Sequence, residues 1–557
     1  MEIKSGDSTP GHIEVASSLF DRLQELTDES VTVIKANCTR DGKLQAERLD
    51  RFQNGCYELA FCEAEIAAAR ATLNYVSKHR DKGLVRGIVL MFCADTLKSV
   101  LNRFLSYGTD LGVHRKRAQA IYDDPQTLEF LDFHSWAPTA AGLGACIVEE
   151  NITALPSSLN EEKQLVRDTF SRFADEVVAP LAEEIHRKDT DIPEQIIKAA
   201  AELGCFGTCI PERFGGLQPD DHSDSLSMIV VTEELSRGSL GAAGSLITRP
   251  EIAARALLAG GTGVQQQKWL PPLASGEMLC AISISEPNTG SDVAAVSLKA
   301  KPVDGGWLLN GSKTWCTFAG RSELIVLLAR TNPDTSLGYK GLSMFLLEKP
   351  AYAGKEFEYQ QETGGTLTGK AIATLGYRGM HSYDLFFEDF FVPAENLVGE
   401  KDGEGKGFYY TMAGFSGGRL QTAARATGVM QAAFESALSY AQERQVFGKS
   451  VADFQLTQIK LARMLATITA CRQLSYEVAE SMDGGEGQME ASLVKLFACR
   501  AAEWISREAM QIHGGMGYAE ESAVSRYFVD ARVLSIFEGT EEVLALKVIA
   551  RGLFRGS

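Results

Sequence analysis

Cys280-Ala281-Ile282-Ser283-Ile284-Ser285-Glu286-Pro287-Asn288-Thr289-Gly290-Ser291-Asp292 is where the chain changes character. A short apolar run gives way there to a turn of Pro, Asn, Gly, Ser and Asp. Similar runs follow: Trp307 to Leu309 before Asn310-Gly311, Leu324 to Ala329, Ser343 to Leu347, and Leu385 to Phe387. From Met278 to Pro393, runs alternate with Gly- and Asn-centred turns, a pattern that predicts an antiparallel sheet or barrel.

On either side the period is helical. Downstream, long helical patterns run from Gly405 to the end. Upstream, from about Pro10 to His134, Leu59, Cys62, Ile66, Ala69, Leu73 and Val76 mark a narrow apolar seam on one helix. A second amphipathic segment spans Leu90 to Leu111. Such helices must bury their seams against a partner, and no catalytic constellation is visible among them. The small and polar residues between Ala137 and Ser158 read as a linker. Helices resume from Asn160, with Phe170, Phe173, Val177 and Val178 at helical spacing until Pro180 interrupts. The expected fold is therefore mainly α with a central β domain. Its parts are a helical extension (residues 1–150), a helical domain (158–277), a β domain (278–398) and a C-terminal helical domain (405–557).

Totals narrow the function classes. The 557 residues carry 55 basic and 73 acidic side chains, a formal charge of −18. That excess speaks against nucleic acid and anionic lipid as partners. No apolar run is long enough to span a bilayer, and residues 1–8 lack the pattern of a secretory leader. The 11 cysteines have no paired spacing and the 8 histidines no ligand spacing, so cytoplasm and no metal are expected. Cys205 and Cys209, the nearest pair, fit a small-residue turn better than zinc.

Five short segments carry chemistry. Ser285-Glu286-Pro287-Asn288-Thr289-Gly290-Ser291-Asp292 resembles the TEPxxGSD signature of acyl-CoA dehydrogenases. Asn310-Gly311-Ser312-Lys313-Thr314-Trp315-Cys316-Thr317 resembles their NGxKxWIT strand and turn. Glu443-Arg444-Gln445-Val446-Phe447-Gly448-Lys449 resembles ERxxFGK, and Gln511-Ile512-His513-Gly514-Gly515-Met516-Gly517 resembles QIxGGxG. Phe537-Glu538-Gly539-Thr540 is similar to (Y/F)EGT. Each alone is modest; all five in family order over roughly the last 400 residues are specific.

The resemblance implies FAD, lying between the sheet and the last helical domain. It also assigns roles. Ile282, Ile284, Ser285, Trp315 and Thr317 would line the flavin ring, with hydroxyl and backbone donors for the N5–O4 edge where negative charge collects. Gly290 and Ser291 would meet the pyrophosphate, and Gln511, Gly514 and Gly515 the adenine-ribose end, with Thr540 and Glu542 nearby. Arg444, Phe447 and Gln455 would reach the FAD of a neighbouring subunit, with Val446 standing where Thr is common. Glu538 would be the base that removes the proton alpha to a thioester, and its backbone N–H, with Gly539, would polarise the carbonyl. The family's other base position falls here on Gly418, before Arg419, so no rival carboxylate exists there.

The acyl group is read from helical phase. If Gly418 faces the substrate, Thr422 and Arg425 share its stripe. Arg249 falls near the acyl-tail helix, and Arg378 lies in Gly376-Tyr377-Arg378-Gly379. Each arginine reads equally as a structural, ion-paired one; together they favour a short, branched dicarboxyl acyl-CoA. Alternatives are glutaryl-, isovaleryl- or short-chain acyl-CoA, and an oxidase passing electrons to oxygen. A rival of another class is the DNA-binding alkylation-response flavoprotein, disfavoured by the acidity and by Glu538. The implied electron acceptor is electron transfer flavoprotein. The expected assembly is a homodimer, with the extension covering in cis the surface through which many family members form dimers of dimers.

Overall fold

The computed structural model describes residues 10–79 and 82–556; residues 1–8, read above for a leader, lie outside them. The chain forms two compact units. One comprises Glu161–Gly428 with Asp483–Gly485, the other Met1–Asn160, Val429–Met482 and Glu486–Ser557.

The first unit is built on an eight-stranded sheet: β1 (Cys280–Ser283), β2 (Lys299–Val303), β3 (Gly306–Thr317), β4 (Leu324–Arg330), β5 (Leu342–Glu348), β6 (Glu356–Gln360), β7 (Thr366–Ala371) and β8 (Ser382–Pro393). The order is β1-β4-β2-β3-β8-β7-β6, with β5 also paired to β4. Of the expected antiparallel sheet or barrel, most pairings are antiparallel; the exceptions are at β4, where β1 runs parallel, Cys280 opposite Leu324, and β2 meets it in parallel at Lys299 and Arg330. Every residue of β4 is buried. Leu324 and Val326 face the core formed with Ala253, Leu257, Trp269 and Leu270 of helices Thr248–Gly260 and Gly263–Ser275. Ile325 and Leu327 face the opposite core, with Phe345, Leu367 and Leu385. A strand buried on both faces reads as a continuous apolar run, which is why Leu324 to Ala329 shows no alternation.

Two turn readings are also corrected. Asn310-Gly311 does not end a strand, because β3 runs through it as twelve residues. The hairpin turns at Asp304-Gly305, where Gly305 takes φ 77° and Val303 pairs with Gly306. Asn310 instead fastens an irregularity in β8: its Oδ1 accepts from Asp389 N at 3.0 Å and its Nδ2 donates to Asp389 Oδ1 at 2.9 Å. Pro180 does not stop the helical path either. Helix Glu161–Phe173 widens into a π turn over Ala174–Val178 and continues as Ala179–Lys188, placing Pro180 in a first turn, where its missing N–H costs little.

The second unit is helical. Helix Gln53–Ser77 packs on Pro10–Cys38 and Gly83–Tyr107, and also on Glu490–Ile512 and the π turn Leu544–Ile549. The expected narrow seam is thus an underestimate: Gly55, Cys56, Ala60, Phe61, Ala64 and Ala68 are buried as well. Ala60, Phe61 and Ala64 share one core with Leu493, Leu496, Leu544, Ala545 and Ile549. Burying a side chain of Leu or Phe size contributes about 1.5–3 kcal/mol. Segments separated by hundreds of residues in sequence therefore depend on one another.

The expected linker is corrected most plainly. Ala137–Glu149 is a helix with Pro138 in its first turn. Its small residues serve close approach: a Cβ on Gly144 would lie 2.0 Å from Gln458 O. Polar bonds from another helix, Gly407–Glu443, hold the same segment: Gln442 Nε2 donates to Val148 O near the helix end at 3.0 Å, and Gln431 Nε2 to Thr153 O beyond it at 2.9 Å.

Candidate active site

A buried ion pair ties the first two motifs together. Lys313 Nζ donates to Ile284 O at 2.8 Å and to Glu286 Oε1 at 2.9 Å. Glu286 also accepts from Ser297 N, Ser297 Oγ and Leu298 N at 2.7–2.9 Å. Burial pulls the Lys313 ammonium down to about 8 against the opposing pull of Glu286. The Glu286 carboxyl is held below its usual range, because Lys313 and the N–H donors outweigh burial. Both residues lie inside the motifs, yet neither was singled out from sequence.

That scaffold presents a ledge. Ser285 O accepts from Thr314 N at 2.9 Å, and Thr317 Oγ1 lies 2.8 Å from Ser382 Oγ. Ile284 is buried, while Ile282, Ser285 and Thr317 are half-buried. Trp315 lies between buried Thr314 and Cys316, yet it is 58% exposed at φ 57°. A large aromatic held in water on strained backbone, beside hydroxyls, fits a planar ring that accepts hydrogen bonds along one edge. Gly290 and Ser291 are exposed, and nothing lies within 4 Å of a Cβ placed on Gly290.

In the helical unit, Gln445–Val446 and Lys449–Ser450 form a hairpin. Its central residues Phe447 (φ 50°, 97% exposed) and Gly448 (φ 79°) both adopt positive φ, as a two-residue turn of this kind requires. Arg444 and Gln455, close to it in the chain, are exposed; elsewhere in the unit Gln511, Gly514, Gly515 and Glu542 are exposed as well. Thr540 is committed to its own helix, its Oγ1 accepting from Val543 N at 3.4 Å. Glu538 is half-buried at φ 54°, followed by Gly539 at φ 95°.

The arginines divide. Arg425, 0% exposed, donates to Ser245 Oγ at 2.9 Å and to Thr422 Oγ1 at 2.6 Å, and Thr422 Oγ1 donates to Gly418 O at 2.8 Å. Arg249, 8% exposed, donates to Ser245 O at 2.8 Å and to Tyr377 Oη at 3.1 Å, and reaches Met380 Sδ at 3.6 Å. Gly418, Thr422, Arg425 and Arg249 are thus brought together through Ser245, which sequence reasoning missed along with Tyr377. Arg378 stands apart: it donates to Thr374 O at 3.1 Å and His186 O at 3.0 Å, with Asp189 at 3.9 Å. Arg419 is half-buried.

The hydroxyl-bearing ledge around Trp315 fits the class of proteins that bind a planar cofactor, flavoproteins among them. Family models for the acyl-CoA dehydrogenase N-terminal, middle and C-terminal domains match residues 160–277, 281–390 and 405–554. The chain therefore belongs to the acyl-CoA dehydrogenase family, whose members are FAD-dependent flavoproteins; it is an acyl-CoA dehydrogenase, and FAD is its cofactor. It is 38% identical to (2S)-methylsuccinyl-CoA dehydrogenase of Cereibacter sphaeroides, over 97% of this chain and 98% of that one. A solved structure of the electron transferring flavoprotein of Acidaminococcus fermentans matches at TM-score 0.65 and 33% identity, covering 72% of this chain and 100% of the other. Glutaryl-CoA dehydrogenase in complex with glutaryl-CoA matches at TM-score 0.64 and 30% identity, covering 71% and 96%.

Proposed function

We propose that the chain oxidises (2S)-methylsuccinyl-CoA to mesaconyl-CoA and hands the electrons to electron transfer flavoprotein. The observation that carries the substrate class is Arg249. Its guanidinium is buried and every acceptor it meets is neutral: a carbonyl, a phenol and a thioether. Among the described residues no carboxylate lies within ion-pair range of it. A buried cation without a counter-charge is costly, and a substrate carboxylate relieves that cost. Arg425, joined to it at Ser245, supplies a second positive charge. Identity of 38% to a methylsuccinyl-CoA dehydrogenase along nearly the whole chain points the same way, and so does the match to a glutaryl-CoA complex.

Glu538 accepts the proton from the alpha carbon, and its backbone N–H and Gly539 steady the thioester oxygen as negative charge builds there. FAD, when bound, would supply a hydride acceptor at N5 for the beta C–H electron pair, balancing the proton taken by Glu538. Ser285 and Thr317 would offer hydrogen bonds to the flavin edge, and Trp315 would pack beside its ring. Gly290 and Ser291 would hold the pyrophosphate, and Gln511, Gly514 and Gly515 would admit the adenine-ribose end. Arg444, Phe447 and Gln455 would serve the FAD of a second copy. The extension shares a core with helices of the last domain, which supports a homodimer in which that face is covered in cis. Among the described residues no helix is long and apolar enough to cross a membrane.

The test is an anaerobic titration of FAD-loaded protein with a panel of CoA thioesters, following flavin absorbance. Methylsuccinyl-CoA is expected to bleach the flavin most efficiently, and Glu538→Gln to retain FAD without bleaching. Near-normal bleaching of that variant refutes the base assignment; a preference for monocarboxyl substrates refutes the substrate class.

A further inference from the structure

Glu538 sits on a turn gripped from a neighbouring helix. Its φ of 54° is one that side chains other than Gly seldom adopt, and Gly539 follows at 95°. Two sets of contacts, both within the helical unit, fix the backbone around it. Lys495, on helix Glu490–Ile512 and 1% exposed, donates from Nζ to Phe537 O at 2.7 Å and to Gly539 O at 2.5 Å. These carbonyls belong to the residues before and after Glu538, so one ammonium pins the peptide that leads into Glu538 and the peptide that leaves Gly539. Arg500, on the same helix, donates from Nε to Glu541 Oε1 at 3.1 Å and from Nη2 to Glu541 Oε2 at 2.5 Å.

The second set includes the N-terminal extension. Tyr57, from helix Gln53–Ser77, accepts from Arg500 Nη2 at 2.8 Å and donates to Glu541 Oε2 at 3.0 Å. The Arg500 guanidinium also lies 4.9 Å from the Phe61 ring centroid, and Phe61 meets Tyr57 edge-on at 5.1 Å. The Glu541 carboxyl is held below its usual range although burial pushes it up, because Arg500 and Tyr57 bond it. A charged network thus runs from the extension to the third residue after Glu538.

We propose that Tyr57, acting through Arg500 and Glu541, and Lys495, acting through the Phe537 and Gly539 carbonyls, are positioning residues that hold the Glu538 turn in its left-handed conformation and so set the rate of proton abstraction. This gives the extension a part in catalysis beyond covering a surface, and it rests on the reading of Glu538 as the base. A carboxylate swung by relaxation of φ loses alignment with the alpha C–H, and a displacement of about 1 Å costs up to about a hundredfold in rate.

The experiment is anaerobic stopped-flow reduction of the full-length, FAD-loaded protein by methylsuccinyl-CoA, unlabelled and deuterated at the alpha carbon. Tyr57→Phe keeps the ring and removes only the hydroxyl; Glu541→Gln tests the same network without touching the extension. Both are expected to lower the limiting reduction rate about tenfold to a hundredfold, with half-saturation within about twofold and FAD retained. The alpha-deuterium isotope effect is expected to rise. Lys495→Met is expected to do the same and Lys495→Arg to recover most of the rate. Wild-type reduction rates in both Tyr57→Phe and Glu541→Gln overturn the proposal, and so does a rate loss that only tracks lost FAD. Glu538→Gln run alongside separates the two failures: if it is inert while Tyr57→Phe is normal, only the positioning role falls. If Glu538→Gln itself reduces normally, the base assignment falls.

Discussion

Replacing Arg249 with Met tests the substrate class with the least disturbance to the fold. Met has comparable reach and flexibility but no charge, and the partners it abandons, Ser245 O, Tyr377 Oη and Met380 Sδ, are neutral. Removing a buried cation whose partners are all neutral is expected to leave stability within about 1 kcal/mol of the parent, or to raise it. Binding of a dicarboxyl substrate is another matter. Its carboxylate would enter a desolvated site without its counter-charge, and breaking a buried pair in this way costs about 3–5 kcal/mol. Arg425, 0% exposed and bonded to the same Ser245, remains and offsets part of that, which favours the lower end. About 3 kcal/mol corresponds to a loss of roughly 150-fold in kcat/KM, at about 1.4 kcal/mol per factor of ten. Butyryl-CoA presents no carboxylate and is expected to change by less than about threefold. Arg249→Lys keeps the charge without the planar fork and is expected to fall between. The assay is steady-state turnover of both thioesters with an artificial electron acceptor, with thermal denaturation of each variant as control. Equal losses for methylsuccinyl-CoA and butyryl-CoA, in a protein as stable as the parent, refute the carboxylate clamp.

Lys313→Met is expected to destabilise the chain by about 3–5 kcal/mol in urea denaturation, because Glu286 keeps its N–H donors but loses its buried counter-ion. Adding Glu286→Gln is expected to recover more than half of that loss, and a single variant within about 1 kcal/mol of the parent would show that the pair is not structural. His381 predicts a pH dependence. Its buried ring lies between Asp191, 3.0 Å from Nδ1, and Asp189, 3.2 Å from Nε2; Lys355 and Arg378 stand beyond Asp189. Burial pulls the imidazole down, but the two carboxylates win and raise it above 6.5. The folded form therefore binds the proton more tightly than the unfolded one. The resulting stability is fully present below pH 6.5 and is lost as pH rises through the raised value. Melting temperature is expected to fall across that window in the parent and not in His381→Asn; coincident slopes would sink the assignment.

What was legible in the sequence was what repeats locally. The strand-like runs from Cys280 to Phe387 are strands, and the helical periods on either side are helices. The misreadings share a cause, residues whose meaning lies in a distant partner. Gly144 reads as linker composition until Gln458 is placed against it, and Asn310-Gly311 reads as a turn until Asp389 is seen to need its side chain. The same holds for residues that were overlooked. Lys495 is an unremarkable lysine on a helix, Ser245 a small residue among small residues, and Tyr57 one aromatic in an apolar seam. Each acts across scores or hundreds of residues, through a carbonyl, a hydroxyl or a carboxylate that no local spacing reveals.

Backbone strain is the structural signal that local sequence could not carry, and it bears on residues chosen by motif. Trp315, Phe447 and Glu538 all hold positive φ, at 57°, 50° and 54°. For bulky side chains this conformation costs about 1–3 kcal/mol and persists only where surrounding structure enforces it. The enforcement is visible in each case. Lys313 and the Thr314–Ser285 bond lock the strand around Trp315. Pairing of Gln445 with Ser450 closes the hairpin beneath Phe447, and Lys495 grips the peptides around Glu538. The first two project an aromatic ring into solvent, and the third sets a carboxylate at the start of a helix. A chain selected for stability alone would replace such residues with Gly or Asn. Phe318 and Tyr377 also hold positive φ, so strain alone does not mark a site; at Trp315, Phe447 and Glu538 it coincides with the motifs and supports the proposal that these side chains meet cofactor and substrate.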